Sequence, residues 1–104
     1  VNYSGVSSKA SGDTLAAGVN YIPTIGGSGI TVNLPAVSGL AVGDVYIVKD
    51  ISGQCAANKT ITIDPNGSEE ADGNAASIVL KSPFASVGFM VQIKTGGNAG
   101  WSMF

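Results

Sequence analysis

The sequence contains no arginine and no histidine, and charged residues make up only 12% of it. Without arginine and with a net charge of -2, it has no basic footprint for phosphate backbones, so nucleic-acid binding is not expected. Without histidine it lacks the commonest general base and the commonest metal ligand. The single cysteine, Cys55, has no partner in the chain for a disulfide or a metal-ligand spacing. A small buried thiol is the expected role, with a cross-chain bridge the alternative. No cofactor and no metal are expected. No apolar run approaches the roughly 20 residues needed to span a bilayer, so membrane insertion is not expected either. A charge content about half that of an average globular chain leaves two ways to cover a small domain. Ser, Thr, Asn and Gly coat the surface, or part of the surface is buried against other subunits, and both are expected here.

What is present is strand signal in a chain of 104 residues, the size of one domain. In "ITVNL", Ile30, Val32 and Leu34 alternate with Thr31 and Asn33, the pattern of a strand with one buried face. "VNYIPTI" precedes it across the turn cluster "GGSG". "DVYIVKD" sets Val45, Ile47 and Lys49 on one face and Tyr46 and Val48 on the other. "TITID" points Ile61 and Ile63 inward, and "ASIVLK" is a shorter run. "SVGFMVQIKT" aligns Val87, Phe89, Val91 and Ile93, and "GWSMF" sets Trp101 and Met103 opposite Phe104. Between the runs lie Gly, Asn, Ser and Pro, and "DTLAAG" is the only helix-like piece, too short to stand alone. Short strands at this spacing predict an all-β, antiparallel sandwich of jelly-roll type over residues 13–104. Residues 1–12, polar and loosely patterned, are expected to be an arm or a link to a preceding domain. The start at Val1 is expected to mark a fragment or processed product of something longer.

The densest group of acids, "DPNGSEEADG", admits two readings. Asp64, Asn66 and Ser68 have a spacing that can begin a Ca²⁺ shell, but the segment lacks the glycine and glutamate positions and the helices of an EF-hand. Asp64-Pro65-Asn66-Gly67 and Asp72-Gly73 are turn chemistry, and solvated turns are the expected state. A glycosidase pair drawn from Asp64, Glu69, Glu70 or Asp72 would need a buried acid, which an exposed loop does not supply. For sugar binding, Trp101, Tyr46 and Tyr21 are the candidate stacking rings, with Asp64 and Asn66 to take hydroxyls. The competing role for these rings is core or interface packing. The lysines at strand ends, Lys49, Lys59, Lys81 and Lys94, are expected to be solvated or to protect edges.

From residue 30 onward the order of motifs is specific: Leu34-Pro35, Gly43-Asp44, Lys49-Asp50, Ser52-Gly53, Ile61 to Ile63 with Pro65 and Gly67, Asp72-Gly73, and Trp101 near the end. This series resembles the C-terminal domains of bacteriophage tail spikes and tail fibres. It covers about two thirds of the chain, with Glu70-Ala71 where that family often carries Thr-Ile. The resemblance implies a homotrimeric, β-rich tip on the virion tail, extracellular and non-catalytic, which locks the trimer and contacts the host's surface polysaccharide. Two alternatives stand beside it: a monomeric carbohydrate-binding module, and a small polysaccharide-degrading domain.

Overall fold

The computed structural model describes residues 5–92 and 100–104. The expectations placed on Ile93, on Lys94, on most of the turn at 95–100 and on residues 1–4 lie outside them. Nine strands follow in order: β1 (Val6–Ser8), β2 (Gly18–Ile22), β3 (Gly29–Asn33), β4 (Val45–Asp50), β5 (Thr60–Asp64), β6 (Glu70–Ala71), β7 (Ile78–Leu80), β8 (Ser86–Gln92) and β9 (Gly100–Met103). A single 3₁₀ turn, Val37–Gly39, is the one helical piece among the described residues.

The strands form a six-stranded sheet in the order β1-β2-β4-β8-β9-β6 and a three-stranded sheet in the order β3-β5-β7. The all-β, two-sheet expectation stands, and the antiparallel one is corrected. The pairs β1–β2, β2–β4, β3–β5 and β6–β9 are parallel. The pairs β4–β8, β5–β7 and β8–β9 are antiparallel. The physical reason is the route of the chain. From β2 to β8 it passes from one sheet to the other between successive strands instead of folding back beside itself, so β2 meets β4 and β3 meets β5 a full circuit later and in the same direction. "GGSG" is therefore a corner between sheets, not a hairpin. Thr14 sits beside Asn33 in a parallel bridge, so the segment before β2 adds a further pass alongside β3. The first half of the molecule is thus a flattened parallel coil. β7 and β8 close it by running antiparallel to β5 and β4.

β1 lies within the segment 1–12. Val6, Ser7 and Ser8 pair with Val19, Asn20 and Tyr21, and the Lys9 N–H donates to the Tyr21 carbonyl at 3.0 Å. The second half of that segment is edge strand and turn.

Register stacks like side chains in columns across the core. Ile30, Ile61 and Leu80 form one column, and Val32, Ile63 and Ile78 the next. On the facing sheet Tyr46 stands beside Phe89, and Val91 beside Trp101. These residues belong to one apolar cluster with Leu15, Ile22, Ile25, Leu34 and Cys55. Each large side chain buried there contributes about 1.5–3 kcal/mol. Cys55 is fully buried, and its thiol donates to the Leu80 carbonyl at 3.1 Å.

One amide crosses this core. Asn20 is fully buried; it accepts from the Ala16 N–H at 2.9 Å and donates to the carbonyls of Ala16 at 2.8 Å and Ile47 at 3.0 Å. It ties the bend before β2 to β4, satisfying backbone groups that the corner would otherwise leave unpaired.

Candidate functional site

The acidic residues are the first place to look for chemistry, and most of them hold turns together. Asp13 accepts from the Ala10 N–H at 2.9 Å and Asp44 from the Ala41 N–H at 3.1 Å, each pinning the turn that leads into it. Glu69 spans the fold to accept from the Val37 N–H at 3.2 Å. Asp72, in left-handed backbone at φ 51°, accepts from the Met103 N–H at 3.0 Å. Asp64 accepts from the Ser77 hydroxyl at the end of β5. Among the described residues no three His, Cys, Asp or Glu side chains gather as a metal-binding group.

Asp50 is the extreme case. It ends β4 fully buried, one step past Val48 on the inner face. One carboxylate oxygen accepts from the Ser52 N–H at 2.9 Å, the Ser52 hydroxyl at 2.6 Å and the Gly53 N–H at 3.2 Å. The other accepts from the Cys55 and Phe84 N–H groups, both at 3.1 Å. Burial pushes its carboxyl up, but the bonds from Ser52, Cys55 and Phe84 outweigh it and hold the group below its ordinary value of 3.8. Asp50 stays charged because backbone dipoles replace its water. It knits the turn after β4 to the turn before β8. In the sequence it figures only within the Lys-Asp strand end. The signal that marks it is the i, i+2, i+4 series Tyr46, Val48, Asp50, which carries the inward face onto an acid followed by Ser-Gly.

The candidate sugar-binding residues do not come together. Trp101 and Tyr46 are 3% and 4% exposed, so neither ring presents an open face to solvent. Their rings meet edge to face at 5.1 Å, and Phe89 meets Trp101 at 6.4 Å in the same manner. These aromatics fill the core because β4, β8 and β9 present them on the inner face. The Trp101 Nε1–H is buried there without a hydrogen-bond partner. Tyr21 is half-buried on the outer face of β2, beside Lys49 of β4. Asp64 and Asn66 lie at the far end of the three-stranded sheet, Asp64 half-buried and Asn66 exposed. Burial of Tyr46 moves its hydroxyl titration upward, with the Asp44 charge adding to the effect.

A cleft of about 330 Å³ opens where β6 and β9 meet the end of β8. Glu70, Asp72, Gln92, Ser102 and Trp101 line it, and the Ser102 hydroxyl donates to Gln92. That volume is at the small end for ligand sites. Its lining of carboxylates, amide and hydroxyl can take a hydroxylated ligand by hydrogen bonds.

The outer faces of the two sheets differ in kind. On the three-stranded sheet Thr31 stands beside Thr62, and Asn33 beside Asp64, a mostly polar surface in which Val79, next to Thr62, is the exposed apolar side chain. On the six-stranded sheet, Val6, Val19 and Ile47 stand in one row across β1, β2 and β4. Gly88 and Phe104 continue that row, exchanging two backbone hydrogen bonds of 2.9 Å. The Phe104 ring lies over Gly88, where a Cβ would come within 2.4 Å of it. Val45 and Met90 form the adjacent row. Val6 and Phe104 are 71% and 66% exposed. Among the described residues no helix is long and apolar enough to cross a membrane.

No protein-family model matches the sequence, and no curated protein matches it.

Proposed function

We propose that this chain is the self-associating attachment domain of a bacteriophage tail spike or tail fibre. It acts as a homotrimer, non-catalytic and extracellular on the virion, in contact with bacterial surface polysaccharide. The observation that carries the reading is the unequal dress of the two sheets. An apolar row runs across the six-stranded sheet from Val6 to Phe104 while the three-stranded sheet shows threonines to solvent. A row of apolar side chains on a sheet's outer face, with Val6, Met90 and Phe104 exposed, marks an interaction surface. Copies that meet around a symmetry axis bring identical charges together, so a face built from Val, Ile, Met and Phe suits contact between identical chains. The polar sheet and the cleft beside β6 then remain outside, with Thr, Asn and carboxylate groups available to glycan hydroxyls. The acids support a non-catalytic role, since most of them are engaged in turns.

Light scattering on the purified domain at micromolar concentration is expected to give three times the chain mass. The double variant Ile47→Lys/Met90→Lys is expected to give the single-chain mass with an unchanged circular-dichroism spectrum, because burying an ammonium in a dry interface costs on the order of several kcal/mol per charge. A wild type that runs as a single chain would sink the trimer. Labelled domain is expected to decorate host cells and to lose them once their surface polysaccharide is stripped. Binding by a single-chain species would favour a monomeric carbohydrate-binding module instead.

A further inference from the structure

The turn before β8 reads Ser82-Pro83-Phe84-Ala85 and closes with the Ala85 N–H on the Ser82 carbonyl at 3.1 Å. Proline in second place and positive φ in third is the type II pattern, whose third place ordinarily goes to glycine or asparagine. Here that place holds Phe84 at φ 60°, a conformation a bulky side chain rarely adopts. The residue is 57% exposed. One part of the ring packs on Gly53 and the rest stays open to solvent, and backbone strain of this kind gathers where a side chain must be presented.

The presentation is rigid. The Phe84 N–H is held by the buried Asp50 carboxylate, and its carbonyl accepts from the Lys49 ammonium. Gly53, at φ 75°, seats the ring, because a Cβ there would come within 2.6 Å of the ring's Cζ. The Lys49 Nζ stands 5.8 Å from the ring centroid. Ile51, 49% exposed, follows on the turn after Asp50.

From this we infer a second ligand site, built on Phe84 and Lys49, that stacks one pyranose ring bearing a carboxylate: a uronate unit of an acidic polysaccharide. The inference rests on the attachment reading and names its ligand class. The Lys49 Nζ lies over the ring and Gly53 packs against its outer carbons, so the exposed remainder of the ring is the apolar surface offered to sugar C–H groups. The ammonium has three donors and spends one on the Phe84 carbonyl, leaving two for a carboxylate. A single ring matches a sugar unit in size and falls far short of the roughly 800 Å² per partner that a protein contact needs.

The test is titration of the ¹⁵N-labelled chain with tetragalacturonate, with maltotetraose as the uncharged control, at low salt. Tetragalacturonate is expected to shift the amides of Ile51 to Gln54 and of Phe84 and Ala85, with at least tenfold weaker effect from maltotetraose. Phe84→Gly, which relieves the backbone strain, is expected to lose tenfold or more in affinity while melting no lower than wild type. Lys49→Gln is expected to bring the acidic ligand down to the level of the neutral one. The site is overturned if tetragalacturonate shifts no amides or shifts only those around Glu70 and Gln92. It is equally overturned if Phe84→Gly melts well below wild type, which would make the ring a packing element, or dissociates the assembly, which would make it an interface residue. Any of these leaves attachment itself to be judged by the binding of whole cells.

Discussion

Replacing Asp50 with alanine is expected to cost the domain about 4 kcal/mol, a large share of typical stabilities of about 5–15 kcal/mol. The carboxylate is the sole acceptor shown for the N–H groups of Ser52, Gly53, Cys55 and Phe84. Removing it leaves them without that partner in a corner where Cys55 is buried and Ser52 and Gly53 are half-buried, at about 1–3 kcal/mol for a group cut off from water and less for one that water can reach. Asn is the sharper probe. Its single oxygen can serve Ser52 and Gly53, but its amide NH₂ then faces the N–H groups of Cys55 and Phe84, donor against donor. Asp50→Asn is expected to cost about half as much and to loosen the turn before β8 first, which hydrogen exchange at Phe84 and Ala85 would register. The pH dependence follows from the direction of the shift. The folded carboxyl lies below its ordinary 3.8 because the hydrogen bonds outweigh its burial. Its contribution is therefore complete above about pH 4 and is lost as pH falls through the folded value. Urea titrations at pH 7 and pH 3 are expected to differ less for Asp50→Asn than for wild type. An Asp50→Ala chain as stable as wild type would remove the carboxylate from its proposed place at the centre of the coil's corner.

The sequence carries the faces of the strands far better than their partners. Ile30, Val32 and Leu34 are buried as their alternation predicts, and so are Ile61 and Ile63. Lys49 does share the outer face of β4 with Val45 and Ile47. A two-residue period has no direction in it, however, so nothing in "ITVNL" or "TITID" tells whether β3 and β5 run the same way. The turn clusters mislead for a related reason: Gly-Gly-Ser-Gly serves a hairpin or a corner between sheets equally well. The site residues follow the same rule. Trp101 and Tyr46 sit on faces that alternation identifies, but which face is dry depends on the opposite sheet. The acids were the more legible part. Asp72-Gly73 reads as a turn and folds as one, whereas Asp64 ends β5 and the turn falls two residues later, from Asn66 to Glu69, closed by the Glu69 N–H on the Asn66 carbonyl at 3.0 Å; Gly67 and Asp72 are both in left-handed backbone. The Phe84 platform was the least legible, because its strain comes from a turn whose third place the sequence fills against type.

The parallel coil makes its own demand on glycine, and Gly29→Ala is expected to be among the most damaging single-methyl changes in the chain. Gly29 opens β3 at φ 128°, directly beside Thr60, which opens β5. A Cβ at this position would lie 2.6 Å from the Thr60 carbonyl oxygen and 2.9 Å from its nitrogen. Both are backbone atoms of the neighbouring pass of the coil, so relief requires β3 and β5 to separate. The cost combines backbone strain of about 1–3 kcal/mol with overpacking of about 1–3 kcal/mol, or roughly 3–4 kcal/mol together. Gly67 supplies the control, since it too has positive φ, at 56°, but nothing within 4 Å of its Cβ position. Gly67→Ala pays only for left-handed backbone, about 1–2 kcal/mol. The difference between the two variants in urea unfolding therefore isolates the close approach of successive passes. Gly18 offers a parallel case in the other sheet, with φ 97° and a Cβ position 2.2 Å from the Gly5 carbonyl oxygen. Equal costs at Gly29 and Gly67, with amide protection in β3 and β5 undisturbed, would mean that the two strands do not press against each other as a parallel coil requires.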